Sequence, residues 1–310
     1  MTMEIEGVLL FIKKIRLTDI ESEKPGSTLN HFDLPSYYQY RVGSTGFGVW
    51  RELAAHQITT QWVLTGECPN FPLMYHSRIM PHTIDKNPST EGDIDRIVAY
   101  WDGSSAIKGR LEAIKTASND VVIFMEHMQQ TLGNWLEVET PKGTLTESKL
   151  TRLESELNKV VSFMKSKGFI HLDCHGSNVM MKHDNLPYFI DFGLTMSREF
   201  ELSSKEIAFL EKHRDYDHYL VISDFTMRLV TEAIVSAYGE EGCRDKAIAY
   251  ITKDDKTIIL PPAVTTIAER YRPICVLMHT FYEDLQNKSK STPYPDEALA
   301  EEWVKINDHH

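Results

Sequence analysis

The sequence predicts an α+β fold, with a small β-rich N-terminal part carrying one main helix and a larger, mostly helical C-terminal part. Three observations carry this. The apolar runs Val8–Ile12 and Val121–Met125, each bounded by polar residues, have the length of buried strands. Apolar residues recur at helical spacing between Thr146 and Lys167, and a second helical pattern fills residues 214–238. Between them, Val179-Met180-Met181 and Tyr188-Phe189-Ile190 flank the polar turn Lys182-His183-Asp184-Asn185, the pattern of a β-hairpin.

Composition narrows the function classes. A chain of 310 residues with 42% apolar content has room for a sizeable core in one large or two small domains. Its formal net charge of −12 and lack of a basic block exclude a surface built to neutralise nucleic-acid phosphates. Four separated cysteines (Cys68, Cys174, Cys243, Cys275) form no C-x-x-C pair, so neither a zinc site nor a disulfide framework is expected, and a reducing, cytoplasmic setting fits. Val8–Ile12 is too short for a leader core and follows Glu4 and Glu6, and no apolar stretch reaches membrane-spanning length. His309-His310 reads as a tag remnant with no metal role.

In chain order, residues 7–17 read as a buried strand ending in basic residues. Lys13 and Lys14 are neighbours there, so they face opposite sides. Residues 18–42, rich in Ser, Pro, Asp and Tyr, have no sustained period and read as an irregular insertion. Gly43, Gly46 and Gly48 precede a helical pattern over 51–64; glycines at a helix start let main-chain N–H groups approach a phosphate, helped by the helix's positive end. Early in that helix stands Glu52, the one acidic residue between Asp33 and Glu67. Residues 68–80 read as turn and strand, 82–120 as a polar insertion with one short helix around Ile107–Ile114, and Val121–Glu126 as a buried strand. A short helix over Thr131–Leu136 comes before the long one, which Gly168 stops. Ser203 and Glu206 form a capping-box pattern with Leu202 and Ile207 as its staple. Residues 240–310 alternate helical stretches with prolines.

The chemistry concentrates in FIHLDCHGSNVMMKHDNLPYFIDFGL, residues 169–194. The hairpin is expected to fold Asn178 back beside Asp191, so that an amide oxygen and a carboxylate converge on a spot suited to Mg²⁺, completed by water and phosphate oxygens. Asp173, five residues before Asn178, is near enough to accept a proton from a hydroxyl nucleophile. The pattern His171-x-Asp173-x-x-x-x-Asn178, followed 13 residues after Asn178 by Asp191-Phe192-Gly193, resembles the catalytic core of the protein-kinase-like superfamily.

That resemblance implies a two-lobed kinase-like fold, with residues 1–126 as N-lobe, carrying insertions at about 18–42 and 82–120, and 127–310 as C-lobe. ATP and Mg²⁺ are the implied cofactors. Lys13 would hold the α and β phosphates with Glu52 as its ion-pair partner, and the main chain of Glu126 to Met128 would read adenine, with Phe124 at the back of the cleft. Asn178 and Asp191 would hold the metal and Asp173 would orient the acceptor hydroxyl. His175, standing where a lysine is usual, would donate to the transferred phosphate. Asp217, or Asp215, would brace the catalytic loop; His171 would be a buried packing residue and Cys174 a bystander. Only a dozen residues precede Lys13, too few for the usual glycine-rich hairpin, so the Gly43–Gly48 loop is expected to cover the phosphates instead. Leu172 replaces the arginine that grips a phosphorylated activation loop, which implies activity independent of such phosphorylation. The A-P-E motif is missing, which puts a peptide platform in doubt. The expected activity is phosphate transfer to Ser/Thr of a protein. A small-molecule kinase, nucleotide transfer, and a nucleotide-binding pseudokinase scaffold are the alternatives, and oligomeric state is left open.

Overall fold

A computed structural model describes residues 1–41, 43–83, 90–182, 186–253, 255 and 257–308; the turn residues His183, Asp184 and Asn185, and His309 and His310, lie outside the described residues. The fold is α+β, about 52% helical, with a small antiparallel sheet and several helices. The chain forms two compact units: residues 1–128 with 168–173 and 191–211, and residues 129–167 with 174–190 and 212–310.

In the first unit, β1 (Thr2–Ile5) and β2 (Val8–Leu17) form an antiparallel hairpin. Its turn, Glu6-Gly7, has φ of 50° and 81°, the left-handed pair that matches the twist of a two-residue hairpin loop. A hairpin therefore does precede Lys13, made with a single glycine. The start of β2 is less buried than its apolar run predicts: Val8, Leu9 and Phe11 are exposed, and burial begins at Ile12. A short α1 (Asp19–Ser22) and a 3-10 turn (Ser36–Gln39) lead to α2 (Val49–Leu64). β3 (Met74–Pro81), α3 (Glu91–Tyr100), α4 (Ser105–Thr116) and β4 (Asn119–Glu126) follow. The strands order as β1-β2-β4-β3, all antiparallel. Leu17, Val121, Ile123 and Met125 pack against Val49, Trp50 and Leu53 of α2. Burying such side chains contributes about 2 kcal/mol each, which is what seats α2 on the sheet.

The two stretches expected to be insertions, 18–42 and 82–120, contribute to one core. Leu34 and Tyr38 from the irregular segment and Phe47 from the glycine loop pack with Ile94 and Trp101, on and just after α3, and with Ile107 and Leu111 of α4. Tyr37 stacks on the Trp101 ring and Tyr38 meets it edge-on, at centroid separations of 5.9 and 4.9 Å. Among the described residues of 82–120 there are two helices, α3 and α4, where one was expected. Helix α3 is announced by the Thr90 capping box with Asp93 and by Ile94, Ile97, Val98 and Trp101 at i, i+3, i+4, i+7.

The second unit begins with β5 (Gln130–Thr131), α5 (Leu132–Glu139) and α6 (Glu147–Ser166). Thr131 and Thr146 cap the two helices by accepting from the N–H groups of Asn134 and Lys149. The α6 stripe of Leu150, Leu153, Leu157, Val160, Val161 and Met164 is buried, as its spacing predicts. Four short strands follow, β6 (Phe169–Ile170), β7 (Val179–Met181), β8 (Pro187–Phe189) and β9 (Met196–Ser197). β7 and β8 make the expected hairpin, with β5 alongside in the second unit, and β6 pairs with β9 in the first. Then come α7 (Ser204–Lys212), α8 (Tyr216–Tyr238), α9 (Cys243–Thr252), α10 (Pro262–Asn287) and α11 (Asp296–Asp308). Helix α8 is buried along most of its length. Among the described residues, no helix is long and apolar enough to cross a membrane.

Candidate active site

Within the first unit, three side chains from distant parts of the sequence meet. Lys13 pairs with Ile123 across β2 and β4, which puts its side chain on the face that packs against α2. Lys14 faces the other way and donates to the Thr83 hydroxyl at 3.4 Å. The Lys13 ammonium donates to Asp191 Oδ1 at 2.7 Å and forms an ion pair with Glu52 on α2. The Glu52 side chain is 7% exposed, whereas that of Asp191 is 45% exposed and still offers oxygen to a ligand.

The charges set one another's protonation. Burial alone would lower the Lys13 pKa, but the carboxylates of Glu52 and Asp191 outweigh it and hold the ammonium above the usual lysine range. Burial likewise pushes Asp191 up, and the adjacent Lys13 charge and hydrogen bond overcome that, holding its carboxyl below the usual range. For Glu52 burial wins over Lys13, and its pKa is raised.

Aromatic packing fixes the chain around Asp191. Phe192 is fully buried, with His56, His171, Phe169 and Phe71 around it at centroid separations of 4.9, 5.3, 5.9 and 6.2 Å. Burial pushes the His56 imidazole down to about 3, so it packs as a neutral ring. His171 is also fully buried, and its Nδ1 accepts from the Asp173 N–H at 3.2 Å. That bond places the ring proton on Nε2 and ties the histidine to the backbone of Asp173. Leu172 is fully buried with φ of 65°.

Gly46 and Gly48 lead directly into α2. The N–H of Val49, first in α2, donates to Glu21 Oε1 at 2.9 Å. A carboxylate of the chain thus takes the first main-chain donor of α2, beside the Gly43, Gly46 and Gly48 loop that was expected to cover phosphate. Arg110 on α4 neutralises Glu21 at 3.0 Å, with both side chains 2% exposed. A Cβ on Gly46 would lie 2.4 Å from the carbonyl oxygen of Gly193, and one on Gly48 would lie 3.0 Å from Glu21; the space above Gly43 is open. Gly46 and Gly48 therefore allow close packing, with φ of 77° and 150°.

The strand leading out of the first unit also departs from expectation. Phe124 lies on the face away from α2, against His76 and under Arg78, while Met125 is on the α2 side with Ile123. Strand alternation makes Met125, not Phe124, the residue that shares a face with Lys13. The Glu126 N–H donates to the Leu73 carbonyl at 2.8 Å, and its carboxylate accepts from the Leu73 N–H at 3.3 Å. The Glu126 N–H is therefore engaged, and Met128 ends this unit two residues later.

In the second unit the segment Cys174–Asn178 runs into the hairpin. The Asn178 carbonyl accepts from the Ile190 N–H at 3.0 Å, closing the hairpin, and the Asn178 N–H donates to the His175 carbonyl at 2.7 Å. His175 Nδ1 accepts from the Ser177 N–H at 3.2 Å, which leaves Nε2 as the ring's donor. The buried Cys174 thiol points at the Asp217 carbonyl and Oδ1, at 3.5 and 3.6 Å. Asp217 is 2% exposed and lies under this loop, whereas Asp215 pairs with Lys165 and Arg214. Asp224 and Arg228, which the sequence did not single out, reach the same loop. The Gly176 N–H donates to Asp224 Oδ2, and so does Arg228 Nε, each at 2.6 Å. Asn178 belongs to the second unit and Asp191 to the first.

Among the described residues, no group of three or more His, Cys, Asp or Glu is arranged as a metal cage. Mg²⁺ bound together with a nucleotide takes only one or two protein carboxylates, and the half-exposed Asp191 carboxylate is of the hard-oxygen type it prefers. The chain matches no protein-family model and no curated protein.

Proposed function

We propose that this protein is an ATP- and Mg²⁺-dependent phosphotransferase with a two-lobed, protein-kinase-like arrangement, and that its acceptor is a Ser or Thr hydroxyl of a protein. The single observation that carries the reading is the meeting of Lys13 with Glu52 and Asp191, two residues that only the kinase-like motif relates to it. An always-charged lysine, aligned by a buried glutamate, is suited to holding phosphate oxygens in place. Bound Mg²⁺ would supply neutralisation of the phosphate charge, with Asp191 and Asn178 as its protein ligands. Asp173, whose N–H is fixed by His171, would orient the acceptor hydroxyl and take its proton. His175 Nε2–H would donate to the transferred group. The backbone of Glu126 to Met128 would contact adenine, and Phe11, two residues before Lys13 on the same strand face and partly open to solvent, would offer the base an apolar surface. Gly43, Gly46 and Gly48 are not assigned to phosphate. Positioning and charge neutralisation suffice for this chemistry, so few residues need to act directly.

Independence from activation-loop phosphorylation has support beyond Leu172. Arg51, beside Glu52 on α2, is 2% exposed and binds Glu206 of α7 at 2.7 Å and the Thr28 carbonyl at 2.6 Å. Glu201 accepts from the Ser27 hydroxyl and the Thr28 N–H, at 2.8 and 2.9 Å. The segment after Gly193 is thus fastened to α2 by the chain's own acids. A small-molecule acceptor is the second reading. It is favoured by the few residues between Gly193 and α7, of which Phe200 is buried and Glu201 already engaged, leaving little on which to lay a peptide.

The test is transfer from γ-labelled ATP with Mg²⁺ in cell lysate, comparing the wild type with Lys13→Met, Lys14→Met, Asp173→Ala and Asp191→Ala. Lys13→Met and Asp191→Ala are expected to lose about 100-fold or more in rate, and Lys14→Met to stay near wild type. Label on protein supports the first reading, and label confined to small molecules the second. Equal loss in the two lysine variants, or no transfer and no MgATP binding by the wild type, overturns the proposal; binding without transfer points to a scaffold.

A further inference from the structure

The α8 residues Asp217, Asp224 and Arg228 are spaced by seven and four, so they share one stripe of the helix. The catalytic-loop segment lies along that stripe. Cys174 meets Asp217 at one end, and Gly176 meets Asp224 further on. Arg228 closes the arrangement: its Nε donates to Asp224 at 2.6 Å and its Nη2 to the Ser177 hydroxyl at 3.3 Å. Gly176 also returns a bond, its carbonyl accepting the Gly133 N–H from the first turn of α5 at 3.0 Å.

The glycines here look chosen for the arginine. A Cβ on Gly176 would lie 2.7 Å from Arg228 Nε and 3.1 Å from Asp224 Oδ2, and a Cβ on Gly133 would lie 2.9 Å from Arg228 Nη1. Neither glycine has a left-handed φ that would explain it by backbone conformation. Their lack of a side chain is what admits the ion pair against the loop. A buried main-chain N–H needs a partner, and Gly176 is given a carboxylate where a carbonyl or water would do. A charged acceptor makes a shorter and stronger bond, and Arg228, donating to the same oxygen at 2.6 Å, holds that carboxylate in place.

We infer that Asp224 and Arg228 are positioning residues, which hold Gly176 and Ser177 and so set the geometry of the flanking Asp173, His175 and Asn178 for phosphate transfer. This rests on the phosphotransferase reading. Neither residue touches the reacting groups; both act through the loop backbone.

The experiment compares full-length wild type with Asp224→Ala, Asp224→Asn, Arg228→Ala and Gly176→Ala. It measures γ-phosphate transfer as separate kcat and KM for ATP, thermal midpoint, and hydrogen exchange of the Gly176 amide by NMR. Asp224→Ala, Arg228→Ala and Gly176→Ala are expected to lower kcat by about 10- to 100-fold with KM for ATP within about threefold of wild type, the size of effect that a small misplacement of catalytic groups produces. Asp224→Asn keeps an oxygen for the Gly176 N–H and should recover most of the lost rate. In wild type the Gly176 amide should be protected from exchange, and in Asp224→Ala it should exchange faster while the core amides of α6 and α8 stay protected. Wild-type kcat in Asp224→Ala, or a loss that follows the thermal midpoint and KM alone, overturns the inference. If wild type transfers no phosphate, the phosphotransferase reading fails by itself. The exchange measurement then decides separately whether Asp224 holds the loop: equal Gly176 exchange in wild type and Asp224→Ala overturns it.

Discussion

At Gly46 a missing methyl group decides the local packing. The Cβ of any other residue would lie 2.4 Å from the Gly193 carbonyl oxygen and would also force a φ of 77° on an L residue. Overpacking and left-handed strain together predict that Gly46→Ala costs about 3 kcal/mol. Gly43→Ala shares the φ but meets open space, so it should cost about 1 kcal/mol. Urea unfolding of the two variants measures the difference, and equal costs would refute the contact with Gly193. Some single-residue placements were legible before the fold. Strand alternation separates Lys13 from Lys14, and the motif resemblance relates Lys13 to Glu52 and Asp191, the three side chains that meet. Glu21, Arg110 and Asp224 were not legible, because each meets a partner dozens of residues away, and the Asp224–Arg228 pair, four residues apart, does not by itself announce the loop it holds. The α8 trio was half visible as a seven-and-four spacing, but nothing in the sequence said what that stripe faces.

Helix α2 carries Glu52 toward Lys13 and Arg51 toward Glu206, adjacent residues serving different ends of the same unit. The Arg51–Glu206 pair is desolvated on both sides, at 2% and 9% side-chain exposure, so removing one member leaves a buried charge alone. Arg51→Met is expected to lose about 3 kcal/mol and to loosen the segment after Gly193. Arg51→Met with Glu206→Leu should recover much of that stability, because an apolar pair of similar volume replaces the ion pair. Chemical denaturation of both variants, with proteolysis as a probe of residues 194–203, checks this; a double variant as unstable as the single one would contradict it. Among the elements, α6 and the β7–β8 hairpin follow their periods closely. That segments 18–42 and 82–120 share a core was not legible. Their apolar residues reach a common core from irregular backbone on one side and from two helices on the other, and sequence period detects only regular backbone.

For the molecule as a whole, acid stability follows from histidines that fold in the neutral state. Burial pushes His218 down to about 4 against the opposing pull of Asp215, while its Nε2 meets the Ser162 hydroxyl at 3.0 Å. The unfolded chain takes up this proton near the ordinary value of 6.5, the folded chain only near 4. Its contribution is therefore complete above pH 6.5 and is lost as the pH falls toward 4, by on the order of 3 kcal/mol. His56 acts in the same direction over a wider span, down to about 3. Thermal melts between pH 7 and pH 4 should show a steep decline in wild type and a shallower one in His218→Phe. Equal slopes would mean that the imidazole is already charged in the folded protein.

The buried bond between Glu21 and Arg110 reaches beyond this one molecule. Either residue, left without the other, would strand a charge at the head of α2, so the two positions cannot drift separately over generations. Kin of this chain should inherit acid and guanidinium as a couple, or lose both at once. That joint inheritance, across a gap that ordinary motif matching does not span, is a signature by which distant cousins can be recognised.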